Sequence, residues 1–134
     1  MKAVVHLRLL LAMVLMTGTV LLGGCGPARL NVDKKYTMDV GDGRAIDLEA
    51  QKKPQKVKVE FSVSDGEARV LVFRAEDAQG EEGILEAPAS KALGSQRGST
   101  GSFTVDLPPD TKARIVIRDL TKKADVTIKV TNQQ

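Results

Sequence analysis

The sequence predicts an all-β protein: a two-sheet antiparallel β-sandwich, jelly-roll or immunoglobulin-like, after an N-terminal signal helix. Three observations predict it. Apolar and polar residues alternate over most of the chain beyond residue 33, which is the period of half-buried strands. Turn residues interrupt those runs at intervals of about 8–12 residues or somewhat more, as in two-sheet domains. No stretch beyond the first two dozen residues carries a helical apolar period, so no helix is expected there.

The elements follow in order. Tyr36-Thr37-Met38-Asp39-Val40 alternates and predicts a first strand. Gly41-Asp42-Gly43 makes a tight turn, since Gly and Asp accept turn backbone conformations. Ala45 to Leu48 is a second short strand, and Lys52-Lys53-Pro54 breaks the pattern. The clearest strand is Lys56 to Val63, with Val57, Val59, Phe61 and Val63 on one face. Ser64-Asp65-Gly66 then reads as a hairpin turn. In Arg69 to Arg74 the four residues Val70 to Phe73 are all apolar, which predicts a strand covered on both faces or one at a sheet crossing.

Glu76 to Gly83 reads as a polar loop, and Ile84 to Ala87 as a weak strand ending before Pro88. Ser90 to Ser102 holds three glycines and four serines and reads as a long mobile loop. Phe103, Val105 and Leu107 alternate, and Pro108-Pro109-Asp110 turns the chain. Ala113 to Arg118 carries Ile115, Val116 and Ile117. A turn through Thr121-Lys122-Lys123 leads to Val126, Ile128 and Val130. Two similar hairpins are expected, Val59 to Phe73 and Ile115 to Val130, from shared turn physics rather than a repeat.

The start of the chain has a different character. Lys2 and Arg8 precede an apolar core, Leu9 to Leu22, that ends in Gly23, Gly24 and the only cysteine, Cys25. A basic start, a short apolar middle and small residues at the end form a secretory signal. The run is too short for a permanent transmembrane helix of about 20 residues. Leu22-Gly23-Gly24-Cys25 resembles the lipobox of bacterial lipoproteins. That resemblance implies cleavage before Cys25 and acylation of its sulfur by a diacylglyceryl group. It implies a cell-envelope location, lipid-anchored to a membrane. Gly26 is not the Asp of the enteric retention rule, so the outer membrane is favoured if the host has two membranes. The domains expected are 1–24 as signal peptide, 25–33 as lipidated cysteine and tether, and 34–134 as the β-sandwich.

Beyond the signal, about 110 residues remain, enough for one modest core. Setting aside Lys2 and Arg8 leaves 18 basic against 17 acidic residues, interleaved along the chain. That pattern is a mixed solvated surface and excludes a nucleic-acid footprint. With Cys25 acylated no thiol remains, so no disulfide framework is expected.

The chemistry expected is correspondingly sparse. The part beyond the signal has no histidine or tryptophan, which argues against His-assisted nucleophilic catalysis and against aromatic sugar platforms. No catalytic residue is assigned and no enzyme is expected. Cofactors are expected to be none, with one candidate ion: Asp39 and Asp42 flank a glycine turn and Asp47 lies one short strand away, an oxygen-rich set that calcium accepts. Arg97, in the glycine-serine segment, is the candidate partner contact, because mobile loops on rigid sandwiches often carry function.

The second half also resembles the small jelly-roll domains of the pre-peptidase C-terminal type, through Arg69-Val70-Leu71-Val72-Phe73 and the late strands in Ala113 to Val130. The expected function is a binding or structural module of the cell envelope. It would be held to the membrane by its lipid and would meet an envelope protein partner. The alternative is an extracytoplasmic enzyme or an accessory domain of an exported one.

Overall fold

The computed structural model describes residues 29–133. Leu22, Gly23, Gly24 and Cys25, and with them the expected signal helix, lie outside the described residues. Among the described residues no helix is long and apolar enough to cross a membrane.

Eight strands form two four-stranded sheets: β1 (Asn31–Met38), β2 (Arg44–Leu48), β3 (Gln55–Val63), β4 (Ala68–Arg74), β5 (Gly94–Gly98), β6 (Thr100–Leu107), β7 (Ala113–Arg118) and β8 (Ala124–Gln133). One helix, α1 (Gly80–Glu86), lies between β4 and β5. The first sheet runs β1-β8-β3-β6 and the second β2-β7-β4-β5, with every pair antiparallel. This order is that of a jelly roll, two interleaved Greek keys, and it decides against the immunoglobulin-like alternative. β1 begins at Asn31, so its first three residues come from the segment expected to be tether.

The inner faces follow the alternation in the sequence. Val57, Val59, Phe61 and Val63 of β3 meet Val70 and Val72 of β4, Ile115 and Ile117 of β7, and Val126, Ile128 and Val130 of β8 in one buried core. Each such side chain contributes about 1.5–3 kcal/mol by leaving water. On the edge strand β1, Lys34 occupies an inward position opposite Ile128 and is exposed. A charge at such a position opposes edge-to-edge pairing.

β4 is covered on both faces, as its continuous apolar run predicts. Leu71 and Phe73 point away from the sandwich core and form a second cluster with Val116, Ala78 and Ala87. The cover is the excursion between β4 and β5. It holds the turn Ala75–Asp77, helix α1 and the turn Ala89–Lys91, and Ile84 and Ala92 complete the cluster.

Four expectations are corrected here. First, Glu76 to Ala87 is not a loop followed by a weak strand, because Gly80 to Glu86 is helical. Two turns are too short to display a period, and Glu81 and Glu82 in the first turn suit its dipole. Gly83 is where α1 closes on the backbone of Ala78, leaving no room for a Cβ.

Second, Ser90 to Ser102 is not a mobile loop, because it contains β5 and the start of β6. Its glycines serve close packing: a Cβ at Gly94 would lie 2.7 Å from a methyl of Val105.

Third, the two expected hairpins are crossings between sheets. β3 and β8 belong to one sheet, β4 and β7 to the other. The two connections brace each other: Glu67 N–H donates to Thr121 Oγ1 at 2.9 Å, and Thr121 N–H to the Glu67 carbonyl at 3.0 Å. Fourth, Val40 falls beyond β1 and is 60% exposed, where alternation with Tyr36 and Met38 predicted an inward strand position.

Candidate functional site

The excursion is held on each side of α1 by an arginine of β7. Arg114 and Arg118 share the outer face of that strand with Val116 between them. Arg114 donates to the Ala78 carbonyl at 2.9 Å and to Asp47 at 2.7 and 3.4 Å. Arg118 donates to the carbonyls of Ala87, at 2.7 Å, and Ile84, at 3.3 Å. These carbonyls lie at the C-terminal end of α1, where an Arg satisfies orphan acceptors. The Arg118 guanidinium also stands 5.9 Å from the Phe73 ring centroid, within cation–π range.

Arg118 is one member of a row. In the register of the second sheet, Arg69 of β4 pairs with Arg118 of β7 on one side and Arg97 of β5 on the other. Arg69 alternates with Val70 and shares the outer face with Leu71 and Phe73. Like charges directly opposite each other on a sheet are unfavourable, and two carboxylates moderate this row. Asp119 lies 3.8 Å from Arg69 and 3.7 Å from Arg118. Glu67 lies 3.5 Å from Arg97. Asp119 takes a positive φ of 56°, a conformation Asp tolerates better than most residues.

Beside this row opens a shallow groove of about 600 Å³. The turn after β1 supplies Val40, Gly41 and Asp42; the end of α1 supplies Leu85 and Glu86; β5 supplies Arg97; and the turn after β7 supplies Asp119 to Thr121. Val40 and Leu85 are the exposed large apolar side chains among the described residues. A second groove, of about 630 Å³, lies at the opposite end beside Arg74, Asp110 and Lys112.

The structure brings Asp42 and Arg97 into one groove and separates Asp47 from them. Arg97 lies on an edge strand rather than a loop, which corrects its expected setting. The Asp39 and Asp42 carboxylates close their own turn: Asp42 Oδ2 accepts from Asp39 N–H and Asp39 Oδ1 from Val40 N–H, both at 2.8 Å. Asp47 is held by Arg114. Among the described residues, no three of His, Cys, Asp and Glu gather as a metal-ligand group.

Sequence reasoning missed Val40, Leu85, Arg69 and Arg118. One signal was present: two continuous apolar runs bounded by arginines, Arg69 to Arg74 and Arg114 to Arg118, lie side by side in the sheet. Away from the groove, Glu60 on the outer face of β3 is held below the ordinary carboxylate value. The hydrogen bond from Lys58 is the main cause, followed by the charge of Lys58, whose Nζ lies 2.7 Å away.

Neither a protein-family profile nor a curated protein matches this chain. Solved structures do. One is a periplasmic inhibitor of g-type lysozyme from Aeromonas hydrophila, with TM-score 0.55 and 19% identity over 81% of this chain and 89% of that one. Another is the pre-peptidase C-terminal domain of a Bacillus anthracis collagenase, with TM-score 0.52 and 12% identity over 78% of this chain and 90% of that one. The likeness is one of fold. The second of these bears out the jelly-roll resemblance read in the strands from Arg69 onward.

Proposed function

We propose that this chain is a lipid-anchored binding module of the cell envelope, with its binding surface in the groove of Val40, Leu85 and Arg97. The observation that carries the reading is the position of that groove. It lies beyond the last residue of β1, whereas the candidate acylated residue, Cys25, lies six residues before the first. Six residues span at most about 20 Å, and the eight residues of β1 add about 26 Å. The groove would therefore open away from the membrane while the opposite end of the sandwich stays close to it. Two or three acyl chains would make the attachment stable. In a two-membrane host, Gly26 favours the outer membrane.

Cys25→Ala tests the anchor: lipid labelling and processing at this site should both disappear. Equal lipid incorporation in the two proteins refutes it. Cross-linking in the native envelope, followed by identification of the captured protein, tests the binding role. The fold is shared with a periplasmic inhibitor of g-type lysozyme, so inhibition of that enzyme is the first specific activity to assay. Captured partners and inhibition should both weaken on replacing Leu85 with Asp; an unchanged response places the binding surface elsewhere.

A further inference from the structure

We propose that Arg69 and Arg97 form a receptor for carboxylates carried by an apolar segment of a partner protein. This rests on the binding-module reading above and specifies its ligand. Of the three arginines in the row, Arg118 is committed to the fold through its two backbone carbonyls. Arg69 and Arg97 are not. Each carries five N–H donors in a planar fork. Among the described residues their polar contacts are Asp119 at 3.8 Å and Glu67 at 3.5 Å, distances at which little hydrogen bonding remains. Asp119 is also shared with Arg118.

The two guanidinium groups start from directly opposed positions on neighbouring strands, and the side chains are 34% and 48% exposed. An incoming carboxylate would supply acceptors in the geometry the forks match and would relieve the opposition of like charges. Asp42, Glu86 and Asp119 line the groove together with Arg97 and Arg118, so it is not a basic sink. Selectivity comes from the two forks rather than from net charge.

The neighbours of the row choose between sources of such an anion. Val40 and Leu85 stand exposed in the groove that Arg97 lines, with Arg69 beside Arg97 on the next strand. A phosphate would use the forks and leave both apolar side chains in water. A protein segment that places Asp or Glu beside apolar residues would cover all four, as interface cores do when Arg and apolar contacts adjoin.

The test uses the full chain in its native envelope, with a photo-crosslinking residue at Ser95, exposed two positions from Arg97 on β5. The parent should give a protein adduct whose cross-linked segment contains Asp or Glu. Arg69→Gln combined with Arg97→Gln should reduce that adduct at least tenfold, and Arg97→Gln alone several-fold. Glu67→Gln removes the internal competitor of Arg97 and should raise the yield, a gain that a purely structural role for Arg97 does not produce. The single variants decide the matter if the double variant fails to fold. Undiminished adducts in the Arg variants overturn the proposal, as does a captured segment without carboxylates or a phosphate-bearing lipid or polymer in its place. Adducts from other surfaces but none from Ser95 overturn this proposal alone, whereas adducts from no surface overturn the binding-module reading with it.

Discussion

Arg118→Ala should cost this domain about 2–4 kcal/mol, through one identifiable mechanism. The side chain is 7% exposed and supplies charge-assisted hydrogen bonds to the carbonyls of Ala87 and Ile84. A bond from a charged donor contributes about 1.5–3 kcal/mol. The 2.7 Å bond to Ala87 supplies nearly all of that, and the 3.3 Å bond to Ile84 adds little at its length, so the pair together contributes about 1.5–3 kcal/mol. Loss of the cation–π contact with Phe73 adds about 0.5–1 kcal/mol. The ion pair with Asp119 adds little, since Asp119 is 47% exposed. For a domain of this size, each kcal/mol moves the Tm by about 4–5 °C, so a fall of roughly 10–20 °C is expected. Arg118→Lys keeps the charge but not the fork, and should lose about half as much. Guanidinium unfolding measures the total, and amide exchange measures where it acts. The amides of α1 should exchange faster in Arg118→Ala while those at the centre of β3 and β8 keep the order they have in the parent. A loss below about 1 kcal/mol, or one that leaves α1 exchange unchanged, refutes the assignment of Arg118 as the clasp of this excursion.

Two further outcomes are expected. Lys58→Met should raise the Glu60 pKa back toward the ordinary carboxylate value, leaving the smaller pull of Lys129, as read by NMR titration of the side-chain carboxyl. Because Glu60 is depressed in the folded state, its contribution to stability is present above the unfolded pKa and is lost as pH falls through the folded one; the variant should lack that part of the acid dependence, and an identical titration curve refutes the pairing. Calcium or a chelator should leave the Tm unchanged, since Asp39 and Asp42 already accept backbone amides and Asp47 is held by Arg114; a calcium-dependent rise of several degrees refutes that reading of the turn.

The parts of the fold that were legible in the sequence are those where one physical rule acts alone. β3 alternates because one face meets the core and the other meets water, so Val57, Val59, Phe61 and Val63 announce it. β4 reads as doubly covered because nothing polar interrupts Val70 to Phe73. The illegible parts are those where tertiary contact overrides local preference. α1 carries two glycines: Gly80 opens it at a positive φ of 67°, and Gly83, inside it, costs about 1 kcal/mol. Arg118, 31 residues beyond Ala87 in sequence, supplies what its own residues lack. β5 carries no large apolar residue at all. It is a strand because it pairs with β4, and its first glycine lets β6 approach. The sheet crossings read as hairpins because Ser64-Asp65-Gly66 satisfies the same backbone whichever sheet the chain enters next. Turn chemistry specifies a reversal; only the packing of both sheets specifies its destination.

The same reasoning explains why most of the arginine row was invisible from the sequence. Arg97 was found because it is conspicuous among glycines and serines. Arg69 and Arg118 were not, because each looks like the ordinary polar end of a strand. Only the register β7-β4-β5 turns three strand ends into one row. Only the excursion that covers Phe73 sorts that row into one arginine that holds the fold and two that remain available to a ligand. The clasp and the receptor are therefore coupled. Removing Arg118 should free Asp119 to pair more closely with Arg69, so Arg118→Ala should weaken carboxylate capture even where the jelly roll survives. Arg69→Gln and Arg97→Gln should weaken capture without speeding exchange in α1. If the two sets of variants changed exchange and capture in parallel, the division of labour within the row would be wrong.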